Sequence, residues 1–447
     1  MEQDLTTGSV FKRIVYFSLP YLLSYFLQTL YGMADLFITG QFYGVDTITA
    51  VSNGSQIMHM MTVIIVGLAM GTAVTIGHSV GAKCMEQAEK IIGNTITLFM
   101  GIAVAFTVIL VVLVKPIVVL IATPQEAVAG TSIYLLICFI GIPFITAYNI
   151  ISSIFRGLGD SKSPMYFIGI ACVMNIALDY LFMGAFHMGA AGAALGTVCA
   201  QTFSVLVALW VIRRRKTGIS LKKSDFKIET AVIGQVLKIG IPVALQDGFI
   251  QVAFMIITVI ANSRGVSDAA AVGVVEKVIS ALFIVPSSML ATVSALSAQN
   301  LGAGKEKRAT DTLHYATVIT TIYGMIVAVL IQFIAENVVG IFTSDTTVVT
   351  MGSAYIRSYI WDCIFAGIHF SFSGYFAACG KSYIGFLHNI ISITFVRVPG
   401  SYLASKYFTD TLYPMGLAAP AGSLVSVAIC VTAFILLKRK SRVAQTA

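Results

Sequence analysis

Apolar runs long enough to cross a bilayer recur from one end of the chain to the other, with only short polar intervals between them. A span needs about 20 mainly apolar residues. The runs fall at 14–40, 48–77, 91–114, 129–155, 164–184, 189–212, 236–262, 269–299, 312–335, 351–378, 383–404 and 413–437. They use up most of the 447 residues and leave no room for a soluble domain. Only 11% of residues are charged and 57% are hydrophobic. A soluble domain carries roughly 25% charged residues, so lipid must be the solvent for most of this chain. The expected fold class is an all-α membrane protein of twelve transmembrane helices.

Charge placement tests this list of spans. One set of intervals holds Lys12 and Arg13; Lys83 and Lys90; Arg156 and Lys162; Arg213 to Lys216 with Lys222, Lys223, Lys227 and Lys238; Lys305, Lys307 and Arg308; Lys381; and Lys438, Arg439, Lys440 and Arg442. The alternate set holds little beyond Lys115, Arg264, Arg357 and Lys406. Cytoplasmic loops are enriched in Lys and Arg, so both termini are expected on the cytoplasmic side, which requires an even number of spans. The net charge of +8 is accounted for by this asymmetry and does not point to nucleic acid. The opening MEQDLTTGSVFKR has no cleavable signal pattern and reads as a polar tail leading into the first span. Seven scattered cysteines form no CxxC pair, so neither a disulfide framework nor a zinc site is indicated.

The longest polar stretch, Arg213–Thr230, falls near the middle of the chain. It reads as a cytoplasmic linker, 213–235, between an N-lobe at 1–212 and a C-lobe at 236–447. A shift of about 221 residues superposes the two halves. FSLPYLL (17–23) then matches KIGIPVAL (238–245), HSVGAK (78–83) matches QNLGAG (299–304), and FRGLGDSKS (155–163) matches FAACGKSYI (376–384). Each motif alone is an ordinary glycine or proline turn. Three in order at nearly one offset make a repeat. Six helices per lobe give both lobes the same orientation, which is a parallel repeat about the membrane normal. Two pseudo-symmetric lobes in one chain leave a single central cleft suited to alternating access.

These features resemble the multidrug and toxic compound extrusion (MATE) family, prokaryotic type. The residues that carry the resemblance are the proline-bearing first span with Asp35, the GAK and GAG turns, the RGLGDSKSP turn, and Asn175–Asp179 in the fifth span. The resemblance covers nearly the whole chain. It implies a two-lobe antiporter that exports bulky, often cationic compounds against entry of H⁺ or Na⁺. It also implies the cytoplasmic (inner) membrane of a bacterium.

Ionisable groups inside a span cost about 2.5–3.5 kcal/mol on insertion scales and are functional candidates by default. Here they are Asp35, Asp179, Asp247, Glu276, Asp362, Lys277 and Arg397. Asn175 lies four residues before Asp179, so the two share a helix face. Asp35, Asn175, Asp179 and Thr197 fall at similar depth in the N-lobe. They match the family's N-lobe cation site residue by residue, so the resemblance implies that these four couple cation entry to export. Hard cations take oxygen ligands, and the set supplies carboxylates, an amide and a hydroxyl for Na⁺. The two carboxylates are equally able to share a proton. Pro20 removes a helix hydrogen bond in the first span and is read as a helix bend, with Pro242 in the matching place.

The C-lobe departs from part of the family. Some members carry a Glu in span seven and an Asp in span ten, and the aligned positions here are Ile250 and Ala366. Asp362 is expected to pair with Arg397. Candidates for the substrate cleft are Tyr31, Tyr148, Met174, Gln246, Asp247, Glu276, Met289 and Asp362, with Phe249, Met255 and Phe370 as further aromatic or methionine contacts. Such side chains suit flat, varied cations. Acids outnumber bases within the spans, which favours organic cation cargo. The chain is expected to be a monomer with no cofactor and no nucleic-acid partner. It has no G-x-x-x-x-G-K-[ST] motif, so ATP is not its energy source. No catalytic cluster of His, Asp or Cys appears, so an enzyme is not expected. Two other readings stay open: a lipid-linked oligosaccharide flippase of the same superfamily, and a membrane channel.

Overall fold

The computed structural model describes residues 4–214 and 220–446, with side chains as far as Arg439. Arg215 and Lys216, counted above in the linker, lie outside the described residues, as do the side chains of Lys440 and Arg442. The described residues are almost entirely helical. The spans are α1 (Val10–Phe42), α2 (Val45–Gly81), α3 (Met85–Leu120), α4 (Gln125–Ile140 and Ile142–Gly157), α5 (Lys162–Ala185) and α6 (Gly189–Arg214). After the linker come α7 (Thr230–Asn262), α8 (Val266–Gly302), α9 (Glu306–Gly340), α10 (Thr346–Tyr359 and Asp362–Ala378), α11 (Ser382–Ser392 continued to Tyr407) and α12 (Tyr413–Arg439). Among the described residues, eight of these are single helices long and apolar enough to cross a membrane. The bent α4 makes nine, and α1, α10 and α11 complete the twelve.

The repeat is visible in backbone geometry. Gly159 and Gly380, 221 residues apart, both take the left-handed conformation, at φ +93° and +68°. Lys83 and Gly304, at the same offset, do likewise at +59° and +71°. The hydrogen bonds match as well: Asp160 N donates to Phe155 O and Lys381 N to Phe376 O, each at 2.9 or 2.8 Å. Left-handed backbone strains a residue that carries Cβ, so Lys83 holds a conformation that its counterpart meets with glycine.

The spans depart from straight rods at places the hydropathy does not mark. α4 bends by 52° at Gly141. α10 breaks between Tyr359 and Asp362. α5 closes in a π-helical stretch at Tyr180–Ala185, and α11 carries one at Ile393–Arg397. By contrast, α1 runs unbroken through Pro20 and α7 through Pro242.

The chain divides into two compact units. The first contains 15–244, and the second contains 245–301 and 305–447. The division falls between Ala244 and Leu245, inside α7, so the linker and the first half of α7 belong to the first unit. Glycine explains this placement. A Cβ on Gly71 of α2 would collide with Val236 O, and one on Gly240 of α7 would collide with Leu68 O. Small residues let helix backbones approach closely in lipid. The linker is docked too: Asn94 of α3 donates to Asp225 O at 3.1 Å and accepts from Glu229 N at 2.7 Å, and Thr97 donates to Phe226 O at 3.0 Å. The first unit packs around Tyr134, Phe139 and Met183. The second packs around Tyr355, Ile356 and Tyr359.

Arg264 and Arg357 come from the sparsely basic set of intervals. Arg264 is buried, with Nε 2.6 Å from Asp268 Oδ2 and its terminal nitrogens donating to the carbonyls of Ser405, Phe408, Thr409 and Thr411. Arg357 donates to Gln332 O and to Glu336. Arg264 is a structural staple, which accounts for its departure from the charge asymmetry, whereas the Arg357–Glu336 pair is solvent-exposed.

Candidate cation site

Three helices of the first unit bring oxygen atoms to one buried point. α1 supplies Asp35, α5 supplies Asn175 and Asp179, and α6 supplies Thr197. These side chains are 3%, 0%, 0% and 7% exposed. The i, i+4 spacing stacks Asn175 under Asp179, and Asn175 Nδ2 donates to Asp179 Oδ1 at 3.4 Å. Thr197 Oγ1 donates to Asp35 Oδ2 at 3.4 Å. Asp35 lies alongside both Asn175 and Asp179.

Gly196 makes this convergence possible. A Cβ there would collide with Asp179 Oδ1, so glycine leaves the carboxylate its place against α6. Around the site, Thr39 donates to Asp35 O at 2.6 Å. Tyr43 donates to Met183 O at 3.1 Å and accepts from Gly189 N at 2.8 Å, which ties the end of α1 to α5 and α6. The π-helical stretch begins directly after Asp179; such stretches occur often at functional sites.

Four buried oxygens here have no hydrogen-bond partner: Tyr31 Oη, Asp35 Oδ1, Asn175 Oδ1 and Asp179 Oδ2. An unsatisfied buried polar atom costs about 1–3 kcal/mol, and these four lie together on or beside the two carboxylates. The donors are all oxygen, as hard cations prefer, and neither imidazole nor thiolate is in the donor set. Among the described residues, no group of three or more His, Cys, Asp or Glu side chains is placed to hold a metal ion.

A sequence model of the family described as MatE matches residues 20–181 and, a second time, residues 242–403. The chain belongs to the MATE family. The double match, at an offset of 222 residues, is the internal repeat seen from outside. A curated relative, the probable multidrug resistance protein YpnP of Bacillus subtilis, is 30% identical over 415 residues, 93% of each chain. The multidrug export protein MepA of Staphylococcus aureus is 23% identical over 374 residues, covering 83% of this chain and 82% of that one. In three dimensions the fold is similar to a multidrug resistance MATE transporter solved in an outward-facing conformation, with TM-score 0.91, 20% identity, and 99% and 98% of the two chains covered. It is equally similar to a MOP-superfamily transporter from Pyrococcus furiosus, with TM-score 0.90, 20% identity and 98% and 97% coverage. This MATE protein is therefore a multi-pass membrane transporter and not an enzyme.

Other expected contacts fall in several places. Tyr31 extends the first-unit site, beside Thr197 and Asp35. Tyr148 is core, packed with Phe155, Phe167, Ile168 and Val205. Met174 and Asp247 are half-buried, and Gln246 and Met289 are buried. The expected Asp362–Arg397 ion pair is not formed. Arg397 instead donates to the Tyr359 hydroxyl and lies over the rings of Phe254 and Tyr359, 5.0 and 5.5 Å from their centroids. Arg397 is the last residue of the π-helical stretch Ile393–Arg397. Asp362 Oδ1 and Glu276 Oε1 are left unpartnered, with Thr258 donating to Glu276 Oε2 at 3.4 Å. Asp362 and Glu276 stay within electrostatic range of Arg397. Gly196 and the bends at Gly141 and Asp362 had no signal in hydropathy; the glycine and acid at those positions are the trace a closer reading would have followed.

Proposed function

We propose that this MATE transporter is a secondary antiporter that exports organic cations, with H⁺ or Na⁺ entering through the Asp35–Asn175–Asp179–Thr197 site. The observation that carries the reading is the set of four unpartnered buried oxygens around two carboxylates, which has no structural partner and suits a small hard cation or a shared proton. Two ionised carboxylates side by side repel, so the pair favours a bound cation of either kind. Entry of that ion removes the repulsion and closes the oxygen shell. Its release on the other side restores the open arrangement, so the site's occupancy biases which conformation the transporter favours. The relatives' names, multidrug resistance and multidrug export, support drug-like cargo. The basic asymmetry of the loops supports cytoplasmic termini in a bacterial inner membrane. The test uses purified protein in liposomes with ethidium, under separate inward proton and sodium gradients and with Asp35→Asn in parallel. Gradient-driven ethidium movement that vanishes in Asp35→Asn is the expected result. Movement that survives in a well-folded Asp35→Asn protein would overturn the coupling role.

A further inference from the structure

The second unit buries two histidines that the first-unit site does not use. His369 of α10 is 4% exposed and His388 of α11 is 0% exposed. Their ring centroids lie 5.3 Å apart at an interplanar angle of 68°. His388 Nε2 shares a hydrogen bond with Ser373 Oγ at 2.9 Å. Nδ1 of each ring has no partner, and neither does Nε2 of the nearby Gln246. Gln246 belongs to the same cluster, since a Cβ on Gly385 would lie 2.7 Å from Gln246 Oε1 and 3.4 Å from Ser373 Oγ. We propose that His369 and His388 form a proton-transfer station in the second unit, serving the buried carboxylate Asp362 and the half-buried Glu276.

The repeat argues that the imidazoles are present for their chemistry. At the 221-residue offset, Ser373 corresponds to Ser152, His369 to Tyr148 and His388 to Phe167. Tyr148 and Phe167 pack in one buried cluster. A phenol and a phenyl ring therefore fill these positions in the first unit. An imidazole adds one donor and one acceptor nitrogen. A proton taken on one ring nitrogen is matched by loss of the proton on the other, so the ring ends neutral and one proton has moved.

The surroundings suit passage rather than storage. The charged group acting on His369 is Arg397 of α11, besides the partner ring itself. α7 presents the neutral Gln246, and α12 presents Ser426, which donates to His388 O at 3.3 Å. Among the described residues, no carboxylate is shown in contact with either ring to hold an imidazolium. Asp362 lies seven residues before His369 on α10, about 10 Å along the axis and on the same face. Helical side chains lean towards the N-terminus, so His369 leans towards Asp362, and the proposed transfer needs water to bridge the remaining gap. Asp362 and Glu276 each keep an unpartnered oxygen to receive the proton.

The proposal does not rest on which ion the first-unit site takes. The test is a rapid pH jump on the full-length protein in nanodiscs, with the infrared band of the buried carboxyls followed in time and assigned through Asp362→Asn and Glu276→Gln. Replacing the imidazoles by the residues of the repeat, His369→Tyr and His388→Phe, is expected to slow that band by about tenfold or more with its amplitude unchanged, in keeping with the usual worth of a positioned proton carrier. His369→Gln and His388→Gln serve where the aromatic variants do not fold. An unchanged rate would overturn the station. So would a lost amplitude at unchanged rate, which would make the imidazoles the store rather than the carrier.

Discussion

At Gly196 a hydrogen atom in place of a methyl group leaves room for the Asp179 carboxylate against α6. The glycine Cα–H faces Asp179 Oδ1 at a separation that no Cβ tolerates. Gly196→Ala must push α6 from α5 or turn Asp179 aside, at a cost of about 1–3 kcal/mol for overpacking. The displaced Thr197 would then lose its bond to Asp35. We expect Gly196→Ala to fold yet lose most ion-coupled transport, as measured by ethidium efflux from liposomes, whereas Gly273→Ala, whose Cβ meets open space, leaves transport near the parent level. Full transport in Gly196→Ala would show that the close approach is not needed. Three of the four candidate side chains, Asp35, Asn175 and Asp179, were legible in the sequence because charge and amide groups are conspicuous among apolar residues. Gly196 was not, because a glycine's role depends on what stands opposite it.

Elements are held by a few polar side chains acting on backbone. Arg264 gathers Asp268 and four carbonyls at the loop between α11 and α12. Removing it leaves the partly buried Asp268 without its counter-charge, and breaking such a pair costs about 3–5 kcal/mol. Arg264→Ala is expected to lower the thermal midpoint in detergent by several degrees, with Arg264→Lys in between because lysine lacks the planar fork. A midpoint within error of the parent would refute the staple. Asn94 does similar work for the linker through one donated and one accepted bond. Asn94→Ala leaves Glu229 N and Asp225 O without this partner and is expected to raise the rate of limited proteolysis between α6 and α7. The polar composition that marks the linker says nothing of this docking, which depends on Asn94 and Thr97 of α3 facing it.

For the whole molecule, ligand binding and stability are linked. An ion that binds the folded protein at 100 times its Kd adds about 2.7 kcal/mol. The midpoint is expected to rise in sodium chloride relative to potassium chloride if Na⁺ is the coupling ion, or on acidification if it is H⁺, and Asp179→Asn should remove the rise. A shift that persists in Asp179→Asn would place the ion elsewhere. The two units divide inside α7, between Ala244 and Leu245, and not in the polar stretch that composition marks. Composition follows solvent: the linker is polar because water bathes it. Unit membership follows packing, and Gly71 and Gly240 bring the first half of α7 against α2.

The sequence by itself determined the membrane class, the twelve spans and the repeat, and it marked the four residues of the candidate cation site. Each of these leaves a local mark: a run of apolar residues, a recurring turn, a charge where lipid forbids one. Tertiary structure decided the rest. It alone set the bend at Gly141, the π-helical stretches, the turn of Arg397 away from Asp362 and onto Tyr359, and the meeting of His369 with His388. Those outcomes depend on which side chain a neighbouring helix presents at contact distance, and residues far apart in the chain carry no local sign of that choice.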